Sequence, residues 1–122
     1  VTPTFIKSFL ALAAVAGHLI IKAGVDGVSV ATSNTDPLIG TADSMGAPAD
    51  AMLDVVQGGH GEVRAGSTFA FGDPLTADAQ GRAIKAEPAA GKLVRIIGFA
   101  MQDAVENDIV PYHVAPGCIA AA

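Results

Sequence analysis

The sequence predicts a mainly β protein, a compact antiparallel β-barrel or clip with an internal pseudo-repeat and an N-terminal arm. Three observations carry this expectation. Short alternating or apolar runs are separated by Gly, Pro, Asn and Asp, and 14 glycines and 7 prolines in 122 residues punctuate the chain too often for long helices. With 51% hydrophobic and 16% charged residues, the chain is apolar enough to fold and long enough to bury one core as a single domain. The order of turns and strands in residues 17–56 also recurs in residues 72–114.

The arm comes first, over residues 1–16. Val1 suggests an initiator Met that has been removed, and Lys7, the run Ser8 to Val15 and the small residues Ala14-Val15-Ala16-Gly17 have the outline of a secretory signal. Two points weigh against a signal or a membrane span. The chain retains the segment, and the run meets Gly17-His18 well short of the ~20 apolar residues that a span requires. The expectation is a short helix or an extended arm that packs Phe5, Ile6, Phe9, Leu10 and Leu12 against another surface. Positions 5, 9 and 12 share a helical face, as do 6 and 10, but the segment is apolar nearly all round and needs a partner.

Residues 17–122 are expected to form the β domain. His18 to Lys22 and Val28 to Thr32 read as strands joined through Gly24-Val25-Asp26-Gly27, where Asp-Gly is a strong hairpin signal. Ser33 to Pro37 is a loop, Leu38 to Ala42 a short buried strand, Ser44 to Pro48 a loop and Ala51 to Gln57 a strand. Gly58-Gly59-His60-Gly61 reads as a tight turn, followed by the alternation of Glu62 to Ala65. Gly72-Asp73-Pro74 is a turn, Leu75-Thr76 starts a strand, Asp78 to Gly81 turns again, and Arg82 to Ala86 returns. Ile96 to Ala100 is apolar enough to be buried, and Asn107-Asp108 turns into Ile109-Val110. The repeat sets Gly27 against Gly81, 54 positions apart, and Gly40 against Gly98 and Asp50 against Asp108, each 58 apart. Two copies are too few for a solenoid, so a pseudo-twofold barrel or clip is the expected outcome.

Few residues suggest chemistry. A formal charge of −5 and seven scattered Lys and Arg argue against a phosphate-binding surface, because nucleic-acid affinity rests on clustered cations. Arg82, Lys85, Lys92 and Arg95 form a modest basic group, a solvated face or a rim for an acidic partner. The single Cys118 rules out an internal disulfide and a Cys-rich metal site; it is fifth from the end, which misses a prenylation box, and is expected to be a buried thiol. His18, His60 and His113 lack ligand spacing, so a metal site requires convergence in space. Gly58 to Gly61 lacks the rest of a phosphate-binding fingerprint, and no Ser sits in a G-x-S-x-G elbow. Asp50 and Asp54, if both in a strand, face the same side and read as a solvated edge or a loop acid. No catalytic, cofactor-binding or metal residue is assigned.

The run Gly-Asp-Pro-Leu-Thr-Ala-Asp-Ala-Gln-Gly-Arg-Ala-Ile-Lys-Ala at 72–86, then Ile96 to Ala100, Asn107 to Val110 and the closing Ala115-Pro116-Gly117, resembles the capsid decoration (cement, or minor head) proteins of tailed bacteriophages. Leu38 to Ala42 and Glu62 to Gly66 fit the same pattern, so the likeness spans about residues 17 to 117; the arm matches it least. The resemblance implies a β-tulip-like, non-enzymatic virion protein without cofactor, made in the host cytoplasm and bound to the outer surface of the capsid. Its implied partner is the major capsid protein, which it bridges as a homo-oligomer, a trimer ahead of a dimer, with no nucleic acid or membrane contact. Expected contacts are Phe5, Ile6, Phe9 and Leu10 on the arm and Asp73 and Asp78 in the hairpin loops. The rival expectations are a tail or baseplate component and a small-molecule-binding β-barrel.

Overall fold

Period-two alternation becomes strand along most of the chain, and Gly, Asn, Asp and His18 supply the positive φ that its turns and bulges require. The computed structural model describes residues 3–120 and contains nine strands and, among those residues, no helix. They are β1 (Pro3–Leu10), β2 (Ile20–Gly24), β3 (Gly27–Val30), β4 (Leu38–Ala42), β5 (Met52–Arg64), β6 (Pro74–Ala77), β7 (Ala83–Lys85), β8 (Leu93–Ala100) and β9 (Ile109–Ala120). Paired neighbours run β3-β2-β4-β5-β9-β8-β6-β7, with β1 also on β5, and every strand pair is antiparallel. The sheet curls into a half-barrel, the barrel or clip expected from the sequence.

β5 holds the two halves together. Its first part pairs with β1 (Leu10↔Met52 to Pro3↔Gly59) and with β4 (Thr41↔Val56), and its last part pairs with β9 (His60↔His113 to Arg64↔Ile109). The expected turn at Gly58 to Gly61 is therefore corrected: those residues continue the strand. Local turn chemistry loses to packing. Gly61 lies opposite Tyr112, and a Cβ there would stand 2.8 Å from the tyrosine ring, so the position requires glycine for close approach. The positive φ of Gly59 sits where the β1 pairing shifts register, as at a bulge.

The halves repeat in their backbone bonding. Ala11 N donates to Ala51 O as Ala65 N does to Asp108 O; Val15 N donates to Ala47 O as Phe69 N does to Ala104 O; His18 N donates to Ala42 O as Gly72 N does to Ala100 O. His18 and Gly72 both have positive φ, as do Gly40 and Gly98, and Asp50 and Asn107. By conformation Asp50 thus corresponds to Asn107, one residue before the expected Asp108. Asp50 lies in this left-handed turn and only Asp54 is in a strand, so the expected same-side pair does not form. β1 takes the role in the first half that the end of β5 takes in the second, since Leu10↔Met52 parallels Arg64↔Ile109.

The core follows this plan. One large cluster spans both halves, from Ile20, Leu38 and Val56 to Leu75, Ile97, Val110 and Tyr112. A second lies within the first half around Val15, Ile21, Leu53 and Val55, with Phe9 packed against it, and a third joins Ala86, Val94 and Ile96 with Ile119. Tyr112 is fully buried, and its hydroxyl shares a 2.9 Å hydrogen bond with Thr41, which links the two halves through the core. Burial pushes the Tyr112 phenol up to about 12, with the Thr41 bond pulling weakly the other way. Cys118 is exposed, against the expectation of a buried thiol, because it lies near the end of β9, where residues 116–118 are all exposed.

Candidate functional site

The arm is extended and its backbone is hydrogen-bonded to β5 along one edge. Alternation then divides its side chains. Phe5, Lys7 and Phe9 share the side of Leu53 and Val55. Phe9 packs partly buried against the first-half cluster with the Lys7 ammonium 5.6 Å from its ring centroid, whereas Phe5 remains 54% exposed. On the opposite side, Leu10 stands across from Met52, and Ser8 donates a 2.6 Å hydrogen bond to Asp54 Oδ1. Ile6, Leu10 and Met52 are exposed, at 48%, 38% and 60%, and form an apolar strip whose single polar step is the Ser8–Asp54 pair.

The two aspartates lie in the second half and play different parts. Asp73 Oδ2 accepts the Ala70 N–H at 2.9 Å, and the residue lines an open pocket of about 540 Å³ with Phe69, Lys85, Asp103, Val105 and Asp108. Asp78 is committed to its own loop. Its Oδ1 accepts the N–H groups of Gln80 (2.8 Å) and Arg82 (2.9 Å), and its Oδ2 accepts Arg82 Nε at 3.1 Å. Arg82 in turn donates to Gln80 Oε1 and Asn107 Oδ1, which fastens the β6–β7 loop to the turn before β9. Of the six residues singled out in the sequence, Phe5, Ile6 and Leu10 are open to a partner, Phe9 is turned toward the core, Asp73 borders a pocket and Asp78 caps a turn. They do not meet in one site.

The first half has its own loop lock. Asp36 Oδ2 accepts the N–H groups of Thr32 and Ser33 and lies 3.6 Å from Lys22 Nζ. The bond from the Thr32 backbone, helped by the Lys22 charge and opposed by partial burial, holds the Asp36 carboxyl below its usual range.

The structure also brings together two residues that their spacing kept apart. His60 and His113 are register partners across β5 and β9, with ring centroids 5.9 Å apart and planes at 66°. Only knowledge of the strand register could have found them, because no short motif joins positions 53 residues apart. No group of three or more His, Cys, Asp or Glu among the described residues is placed to hold a metal ion, and none of those residues forms a helix long and apolar enough to cross a membrane.

No protein-family model and no curated protein matches the chain. Among solved structures it is similar to the crystal structure of the N base of the head fiber protein gp8.5 of bacteriophage phi29, with a TM-score of 0.67 and 20% sequence identity over 91% of this chain and 93% of that one. At this identity the likeness is one of fold: the curled antiparallel sheet, nearly end to end, is shared with that fiber base.

Proposed function

We propose that the chain is a structural, non-enzymatic component of a bacteriophage head, a decoration protein that binds the outer surface of the expanded capsid as a homo-oligomer and bridges major capsid subunits. The observation that carries this reading is the fold match, over nine-tenths of both chains, to the base of a phage head fiber. The motif resemblance of residues 17–117 to capsid decoration proteins points the same way from independent evidence. The exposed strip of Ile6, Leu10 and Met52, with Phe5 on the other side of the strand, supplies apolar contacts for a shell subunit or a sister copy. Its neighbour β5 already bonds β1 on one edge, which leaves β1 suited to strand addition on the other.

Cementing works by multivalency. Each contact is weak, but an oligomer that touches several capsomers gains effective concentration and ties together the seam along which a pressurised shell opens. Because such a ligand binds the closed shell and not the opened one, it stabilises by mass action. The test is to titrate the purified chain onto expanded capsids that lack it and to measure bound protein by sedimentation. Saturation at a fixed ratio to the major capsid protein, with a rise in capsid melting temperature, is the expected result. A chain that stays in the supernatant at every concentration overturns the proposal.

A further inference from the structure

His60 lies near the middle of β5, where its pairing passes from β1 to β9, and His113 is its partner on β9. They are directly opposite each other, so their Cβ atoms are held within cross-strand reach. Both backbones are fixed: β9 is bonded to β5 on one side and β8 on the other, with Phe99 opposite His113, and the His113 carbonyl is seated where a Cβ on Gly98 would have to go. Around one tetrahedral zinc, with Zn–N near 2.0–2.1 Å, two imidazole centroids lie about 5–6 Å apart. The observed 5.9 Å lies within that range.

The surroundings suit a cation. His60 is half-buried and His113 exposed, so one side of the pair is sheltered and the other open to water. A cavity of about 190 Å³ on the flank of His60 is lined by His18, Asp43, His60 and Glu62 among others, and these two carboxylates add to the negative field of a chain of net charge −5. On the same face of β5, the Arg64 guanidinium directs Nη1 to the Asn107 carbonyl at 3.4 Å. Imidazole nitrogen selects borderline ions such as zinc over magnesium, which prefers oxygen.

We propose that His60 and His113 form a two-imidazole site for a zinc-class divalent cation, completed by water, and that the ion staples β5 to β9 at the centre of the half-barrel. An ion that binds the paired strands and not the unfolded chain raises stability with its concentration. Without it, the pair is only an edge-to-face ring contact.

The test follows the histidine side-chain resonances of the full chain by NMR during titration with zinc chloride, with magnesium chloride as control and thermal melts alongside. The expected result is saturable, one-to-one perturbation of His60 and His113 by zinc alone, with a higher melting temperature. His60→Gln and His113→Gln are each expected to weaken zinc binding at least tenfold and to abolish the thermal gain, whereas His18→Gln leaves both in place. The titration of the unsubstituted chain needs no variant to fold. Absence of a saturable shift, an equal response to magnesium, or loss of binding only in the His18 variant overturns the proposal. None of these outcomes bears on capsid binding, which is measured separately.

Discussion

Residues 11, 15 and 18 make the same backbone hydrogen bonds as residues 65, 69 and 72, yet the strands that lead into them carry opposite chemistry. On β1 the outward positions are Ile6, Ser8 and Leu10; 54 positions later, on β5, they are His60, Glu62 and Arg64. The inward pair changes as well. The exposed Lys7 stands across from buried Val55 in the first half, and in the equivalent place Gly61 stands across from Tyr112, where the large ring is matched by the absence of a side chain. The lesson is that positive-φ turns and cross-strand hydrogen bonds define the repeat, while the outward side chains are free to specialise. The apolar strip on β1 has no counterpart on the equivalent stretch of β5, although Phe99 and Ile109 on the neighbouring strands are exposed, and the proposed contact is tested first on β1.

The sharpest way to break the comparison is through the bulge glycines. Gly40 and Gly98 have φ of 153° and 150°, and a Cβ on either would collide with a carbonyl oxygen across the sheet, that of Val56 and that of His113 respectively. Gly40→Ala and Gly98→Ala are each expected to cost more than about 4 kcal/mol, or to prevent folding, in urea denaturation. A mild effect in one half and a severe one in the other would show that the repeat is one of outline only.

Next is the link between the halves. Thr41→Val leaves the buried Tyr112 hydroxyl without its partner and is expected to cost about 1–3 kcal/mol, read from the urea midpoint. The same tyrosine sets an alkaline limit. Its folded pKa, about 12, is above the unfolded value near 10. The neutral phenol therefore gives full stability below about pH 10, lost progressively as the pH rises toward 12, and Tyr112→Phe should remove that dependence from alkaline melts.

A smaller effect separates the loops. Asp36 titrates lower in the folded chain than in the unfolded one, so its contribution is complete above the unfolded pKa of about 3.9 and is lost as the pH falls through the folded value. Asp36→Asn should flatten acid unfolding in that window while leaving the second-half loop, held by Asp78 and Arg82, unaffected. Hydrogen exchange of the Thr32 and Arg82 amides distinguishes the two. Least of all in stability, and largest in function, are Ile6→Ser and Leu10→Ser. Both residues are substantially exposed, so melts should move by less than about 0.5 kcal/mol, while capsid occupancy falls at least tenfold.

The hairpins of both halves were legible in the sequence, because Asp26-Gly27 and Asp78 to Gly81 announce themselves through local chemistry, and Ile96 to Ala100 through apolar continuity. β5 was not. There Gly61 is required by the ring of Tyr112 on β9, and Gly59 has positive φ where the β1 pairing shifts register. The arm was legible as an apolar segment, helix or extended; the choice of extended strand was not, since an all-round apolar run has no period and its partner is some fifty residues away. Of the surface residues, Phe5, Ile6 and Leu10 were visible as an apolar group, but the inward turn of Phe9 depends on strand register. Asp78 looked like a loop acid available to a partner, but its oxygens are taken up by its own turn and by Arg82.

The central claim is that this half-barrel sits on the outside of a phage head. Electron cryomicroscopy of capsids saturated with the purified chain tests it most directly. The account predicts added density on the outer surface at junctions between major capsid subunits, in copies related by local symmetry, with the β1 strip of Ile6, Leu10 and Met52 turned into a contact. Bare capsids under the same conditions, or density confined to the tail, would contradict it.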